Sequence, residues 1–184
     1  MRALRLIIGM LILWTLMGTS AVAQKDEGDG TSRTSPYPLG QTGELGDYEL
    51  QVVDVLPDAT DQVLAENQFN EPPAPGETFV FVRIEATYTG SDTGTPWVDL
   101  NFNVVGDLNL GYSQSTNTCG VIPDEGYEAP ELFEGGTTEF NACWSVPEDE
   151  VSSLVMYVEE GFSFEDERVW FSLEDTSIAT PEVR

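Results

Sequence analysis

The sequence predicts an all-β fold, an antiparallel β-sandwich with one short helical insertion, and three observations support this prediction. Apolar and polar side chains alternate with a period of two in several short segments. Clusters of turn residues separate these segments at short intervals. Helical periodicity is nearly absent, whereas a βαβ fold would need a helical segment after each strand.

The clearest strand is residues 77–90, with the sequence ETFVFVRIEATYTG. Alternation places one set of apolar side chains on a single face of this strand. Phe79 and Phe81 make the first half apolar on both faces, which is typical of a strand inside a sheet. The set on the single apolar face consists of Val80, Val82, Ile84, Ala86 and Tyr88.

The remaining segments are shorter. Residues 47–56 alternate and then slip register at residues 53–55, which predicts a β-bulge. Residues 60–67 fit one or two turns of helix. Further strands are predicted at residues 97–105, 108–112, 137–146, 153–158 and 168–173. In the first of these, alternation places Val98 on one face with Leu100, Phe102 and Val104.

The N-terminus predicts export. Residues 1–23 have the layout of a secretory signal peptide, with a basic start, an apolar core and a small-x-small cleavage site. An uncleaved segment that anchors the protein is the alternative, so the predicted location is secreted or extracytoplasmic. The predicted organisation is a signal peptide at 1–23, a disordered linker at 24–36, one β-sandwich domain at 37–175 and a disordered tail at 176–184.

The two cysteines, Cys119 and Cys143, predict one disulfide, because exported proteins with an even number of cysteines usually pair them. In residues 137–146, alternation turns Trp144 inward and Cys143 outward. The bridge should therefore pin the Cys119 segment to an outer face or edge of the sandwich. It should not cross the core between two sheets.

Acidic residues dominate the charged side chains. The chain has 33 Asp and Glu against 7 Lys and Arg, and its formal net charge is −26. Such a charge repels nucleic acid and anionic membrane surfaces, which excludes both as partners. It attracts cations and basic proteins, and a solvated acidic surface is the alternative interpretation.

Three strand patterns resemble a known family. Residues 46–52 have the sequence GDYELQV, residues 79–84 have FVFVRI, and residues 143–149 have CWSVPED. Together they resemble a telokin-like, immunoglobulin-related domain of unknown function in bacterial exported proteins, similar in plan to small immunogenic proteins secreted by mycobacteria. The resemblance covers residues 37–175. It implies an immunoglobulin-like sandwich outside the cytoplasm and no catalytic residues.

The residue types argue against most enzyme chemistry. The chain has no histidine, which removes Ser-His and Cys-His nucleophile pairs and imidazole metal sites. Lys25 is the only lysine and lies in the predicted linker. With 33 acids, a close pair of carboxylates has little specificity, so a carboxylate-dependent hydrolase is the weakest alternative. We predict no catalytic residue and no cofactor.

Two acidic segments are the candidates for a calcium site. Asp124, Glu125 and Asp166 offer the carboxylate oxygens that hard cations prefer. Neither segment has a recognised ligand spacing, so solvated turn acids are the competing interpretation. A calcium-stabilised surface module is therefore an alternative function.

Five aromatic residues are the candidates for a carbohydrate or peptide surface: Trp97, Trp144, Trp170, Tyr127 and Phe133. We expect Trp144 and Trp170 in the core, because both lie on strand patterns. Tyr127 and Phe133 lie in an acidic loop and are the better candidates for an exposed contact. The expected function is a non-enzymatic interaction or accessory module at the cell exterior, with an unidentified protein or cell-surface partner.

Overall fold

The computed structural model describes residues 28–161 and 167–174, and these residues form an antiparallel β-sandwich. Its strands are β1 (Thr42–Leu45), β2 (Tyr48–Leu56), β3 (Glu77–Tyr88), β4 (Thr93–Gly94), β5 (Leu100–Val105), β6 (Gly111–Ser113), β7 (Leu132–Phe133), β8 (Thr137–Pro147), β9 (Val155–Glu160) and β10 (Arg168–Ser172). The helices are α1 (Thr60–Glu66) and α2 (Pro96–Asp99), with 3₁₀ segments at Gly126–Glu128 and Glu148–Ser153. No helix of the described residues is long and apolar enough to cross a membrane.

Two four-stranded sheets make up the sandwich. The first sheet has the strand order β1-β2-β3-β8, and the second sheet has the order β10-β9-β5-β6. β4 and β7 form a separate antiparallel pair. β3 is the centre of the first sheet, because it pairs with β2 along one side and with β8 along the other.

The core lies between the two sheets. Val80, Val82, Ile84 and Ala86 of β3 face it and are at most 1% exposed, as the alternation predicts. Burial of a large apolar side chain contributes roughly 1.5–3 kcal/mol to stability. The other large contributors include Phe140, Trp144, Val146, Phe102, Val104, Met156, Val158 and Phe171.

The predicted helix is present as α1, and the predicted bulge is present in β2. On β2, Val52 opposes Ile84 and Asp54 opposes Arg83, so Val53 has no partner on β3. The extra residue turns the strand, and Val55 packs against the core beyond the slip.

Residues 96–99 are helical, although the alternation predicts a strand from residue 97. Pro96 suits the first turn of a helix, since its φ is fixed and its missing N–H is not needed there. Val98 N donates to Thr95 O at 2.8 Å, and Thr95 N donates to Asp99 Oδ2 at 2.7 Å. Val98 is 58% exposed whereas Leu100, Phe102 and Val104 are buried, so the prediction that it shares their face is wrong. Local hydrogen bonds override the alternation at this point.

The N-terminal end of the described chain is hydrogen-bonded to β10. Tyr37 N donates to Trp170 O at 2.8 Å, and Trp170 N donates to Gly30 O at 2.9 Å. The Tyr37 ring packs on Phe171 with its centroid 5.8 Å away. Ordered structure therefore starts before residue 37, within the segment predicted as a linker. The predicted signal peptide and the predicted tail at 176–184 lie outside the described residues.

Candidate functional site

Part of the outer face of the first sheet is covered by the chain itself. Phe79 and Phe81 of β3 point away from the core and form a second buried cluster with residues of α1 and of a later loop. The full cluster is Ala59, Val63, Phe79, Phe81, Cys119, Ile122 and Cys143. Cys119 and Cys143 form a disulfide within it. The prediction that Cys143 points away from the inter-sheet core is therefore confirmed.

Asn70 joins α1 to the loop that carries Cys119. Its Nδ2 donates to Val63 O at 2.6 Å and to Val121 O at 2.7 Å. Its Oδ1 accepts from Val121 N at 3.0 Å. The amide thus uses most of its hydrogen-bonding capacity to hold α1 and the loop from Cys119 to Asp124 against the first sheet. We call α1 and this loop the cover.

Arg83 extends the same cover along β3. Its Nη1 donates to Asp124 Oδ2 at 3.3 Å, and its Nε donates to Glu139 Oε2 at 2.8 Å. Asn141 N donates to Asp124 O at 2.8 Å, so the loop is also held by its backbone. The calcium candidate Asp124 therefore already forms an ion pair with Arg83.

Among the described residues, Glu125 forms no ion pair. Burial raises the pKa of Glu125, and the nearby Glu128 carboxylate raises this pKa further. Asp166 lies outside the described residues. Within residues 28–161 and 167–174, no group of three or more acidic, Cys or His side chains is placed to hold a metal ion.

The outer face of the second sheet carries an aromatic pair. The rings of Tyr157 and Trp170 lie 5.0 Å apart between centroids and are tilted by 37°. Both side chains are half-buried. Arg168 places its Cζ 5.2 Å from the Tyr157 centroid and donates from Nε to Glu159 Oε1 at 2.5 Å. Partial burial raises the pKa of Tyr157, and Glu159 raises it further.

Antiparallel register aligns polar side chains with this pair. Trp170 opposes Tyr157, which opposes Asn103, which in turn opposes Ser113. We call these four residues the outer row, since they share the outward face of β10, β9, β5 and β6. A Cβ on Gly111 would lie only 3.1 Å from the Tyr157 hydroxyl oxygen. Tyr157 therefore extends across β5 toward β6.

A cleft of about 390 Å³ adjoins the outer row. Asn103 is 8% exposed, and among the described residues its Nδ2 makes a single long hydrogen bond, 3.4 Å, to Asn101 O. Buried amides normally use more of their capacity, so Asn103 keeps hydrogen-bonding capacity within the cleft. The polar lining consists of Asn101, Asn103, Ser113, Gln114, Ser115 and Glu159.

A second pocket, of about 370 Å³, is acidic and lies where β2, β3 and α2 meet. Tyr48 Oη donates to Asp99 Oδ2 at 2.5 Å, and Thr95 N donates to the same oxygen. Burial raises the pKa of Tyr48, and the Asp99 carboxylate adds to this effect. Because Asp99 already accepts two hydrogen bonds, it acts as a structural junction between β2 and α2.

The predicted aromatic candidates have different environments. Trp144 is fully buried, as expected. The expectation that Trp170 lies in the core is wrong, because Val169 and Phe171 are the inward-facing residues of β10. Trp97 is partly buried against the core. Tyr127 and Phe133 are exposed, at 58% and 65%.

Tyr157 and Asn103 are the residues that sequence reasoning missed. Met156 and Val158 are buried in the core, so alternation alone could have turned Tyr157 outward. No local pattern, however, shows that Tyr157 opposes both Trp170 and Asn103. That alignment depends on register between distant strands.

No protein-family model and no curated protein matches the chain. Three solved structures are similar to it. A conserved hypothetical protein from Bacillus anthracis is 13% identical, with 72% of this chain and 94% of that chain covered and a TM-score of 0.41. An uncharacterized β-sandwich protein from Clostridium difficile 630 is 12% identical (74% and 91% covered, TM-score 0.43). The yjhA protein from Bacillus subtilis is 9% identical (74% and 98% covered, TM-score 0.43).

Proposed function

We propose that the chain is an exported, non-enzymatic interaction module that acts at the cell exterior through the outer face of its second sheet. The observation that carries the proposal is the contrast between the two outer faces. The first is buried around Phe79, Phe81 and Cys143, beneath α1 and the disulfide loop. The second leaves Tyr157 and Trp170 half-buried, with no buried cluster over it among the described residues.

Two observations support export. Residues 1–23 have the composition and order of a signal peptide. The disulfide between Cys119 and Cys143 is typical of proteins that fold in an oxidising, extracytoplasmic compartment. The resemblance of residues 37–175 to telokin-like, immunoglobulin-related domains agrees with this location.

The non-enzymatic part of the proposal is supported by the available side chains. The chain has no histidine, and both of its cysteines are in the disulfide. A nucleophile would therefore need a carboxylate or Lys25 as its base. Aromatic side chains with an apolar body and a polar tip are suited instead to contact surfaces.

The proposal is tested on the whole chain, expressed with its own N-terminal segment in the cells that produce it. Fractionation should recover an oxidised protein outside the cytoplasm. Fluorescently labelled protein should then bind the surface of these cells, and Trp170→Ala should reduce the amount bound. Phe69→Ser is the matched control, because Phe69 is an aromatic residue that is 82% exposed and lies outside the second sheet.

Two results would contradict the proposal. One is retention of the protein in the cytoplasm with free thiols. The other is surface binding that Trp170→Ala and Phe69→Ser leave equally unchanged, since the outer face of the second sheet would then have no part in it.

A further inference from the structure

The outer row spans the width of the second sheet. Neighbouring strands lie about 4.8 Å apart, so the four residues cover about 14 Å from Trp170 to Ser113. Trp170 and Tyr157 stand on β10 and β9, and the Tyr157 ring reaches over β5 toward Gly111. Asn103 and Ser113 stand on β5 and β6, beside the cleft. The surface therefore suits an extended ligand that is apolar on one side and carries hydrogen-bonding groups.

The polar half has a consistent chemistry. Asn101, Asn103, Ser113, Gln114 and Ser115 carry amides and hydroxyls, which both donate and accept hydrogen bonds without charge. Asn103 is more than nine-tenths buried, lines the cleft and makes a single long side-chain hydrogen bond among the described residues. Ligands that combine donor and acceptor in one group, as a hydroxyl does, match such a lining.

The charge of this face is balanced, unlike that of the chain as a whole. Glu159 is the acidic residue that lines the cleft, and Arg168 neutralises it through the 2.5 Å contact. All four residues of the outer row are uncharged. The chain has a formal charge of −26, so a face without net charge favours a neutral ligand over a cationic one.

Taken with the proposed function, on which this inference rests, we propose that the outer row and its cleft bind a neutral oligosaccharide. A sugar ring has an apolar face of C–H groups, which would stack on Trp170 and Tyr157. Its hydroxyls would exchange hydrogen bonds with Asn103, Ser113 and the other amides of the cleft. Gly111 leaves the space in which Tyr157 lies across the sheet.

The test is isothermal titration calorimetry of the purified protein with cellohexaose, maltohexaose and chitohexaose. At least one of the three should bind. Trp170→Ala should weaken that binding about tenfold, because loss of an aromatic contact costs on the order of 1.4 kcal/mol. Trp170→Phe should keep most of the affinity. Asn103→Ala should weaken binding about fivefold, the effect of one lost hydrogen bond.

Two controls separate binding from folding. Phe69→Ser should leave the affinity unchanged, because Phe69 is exposed elsewhere on the chain. Each variant is also checked by thermal unfolding, and the affinity of Asn103→Ala tests the site if Trp170→Ala is unstable. Affinity that survives in a folded Trp170→Ala protein would overturn the assignment of the site.

The outcomes also distinguish this inference from the proposed function. Absence of binding to all three hexasaccharides, with cell-surface binding that still depends on Trp170, would overturn the sugar ligand and keep the interaction face. A protein partner would then occupy it. Absence of both would overturn the two proposals together.

Discussion

The two sheets of this protein treat their outer aromatic residues in opposite ways. Phe79 and Phe81 on the first sheet are at most 7% exposed, beneath α1 and a disulfide-linked loop. Tyr157 and Trp170 on the second sheet remain half-buried. Full burial of such a side chain contributes roughly 1.5–3 kcal/mol to stability. Tyr157 and Trp170 are only partly buried, so each contributes less than it would if fully buried. Aromatic side chains therefore stabilise the fold on one face and are available for contact on the other.

The largest expected effect comes from removing an aromatic residue of the covered face. Phe81→Ala should lower the free energy of unfolding by about 3–5 kcal/mol, because it leaves a cavity beside Val63 and Cys143. Trp170→Ala on the other face should lower it by about 1 kcal/mol. Urea denaturation measures both. Equal losses would mean that the two faces do not differ in their contribution to stability.

Removal of the disulfide should cause the second-largest loss of stability. Its cysteines are separated by 24 residues, and a closed loop of this length stabilises a protein by about 3 kcal/mol. The double variant Cys119→Ala, Cys143→Ala should lose that amount in urea denaturation. Reduction of the wild-type protein should give a similar loss and should not affect the variant. A variant as stable as the wild type would show that α1 and Ile122 hold the cover unaided.

Asn70→Ala should lower the free energy of unfolding by less than removal of the disulfide does. The substitution removes three hydrogen bonds and leaves the Val63 and Val121 backbone groups without these partners. We expect a loss of about 2 kcal/mol, measured by the same denaturation. Asn101→Ala on the exposed face is the matched control and should change stability by less than about 0.5 kcal/mol. A smaller loss for Asn70→Ala than for its control would contradict the assigned role.

The smallest effect is a pH dependence within the cover. Burial raises the pKa of Glu125 in the folded protein. The contribution of such a group to stability is complete below its unfolded pKa and is lost as the pH rises through its folded pKa. Glu125→Gln should therefore match the wild type near about pH 3 and be more stable near about pH 7, by less than about 0.5 kcal/mol. Thermal midpoints at the two pH values test this, and a variant less stable at the higher pH would reverse the assigned sign.

Sequence patterns predicted several features that depend on the direction of successive side chains along one strand. The period of two in residues 77–90 predicts the buried face of β3, and the slip after Val52 predicts the bulge in β2. The same periodicity predicts that Cys143 points away from the core. Each of these features follows from the direction of successive side chains along one strand.

Features that depend on distant strands were not predictable in this way. The outer row joins residues from 103 to 170, and its alignment requires the register of three strand pairs. In residues 168–173, by contrast, alternation places Val169 and Phe171 on one face and Trp170 on the other, so it could have turned Trp170 outward. Alternation fails for a different, local reason at Val98, where hydrogen bonds around Thr95 and Asp99 change the backbone from strand to helix.

The disulfide loop has a consequence for contacts between molecules. β8 is an edge strand of 11 residues, and a free edge of that length invites strand addition by another chain. Ser145 N donates to Asn117 O, and Asn141 N donates to Asp124 O, both at 2.8 Å. The Cys119–Cys143 bridge lies between these two contacts and holds the loop along the edge. We therefore expect the disulfide to limit strand addition at β8, the longest edge strand among the described residues, and its reduction to increase self-association.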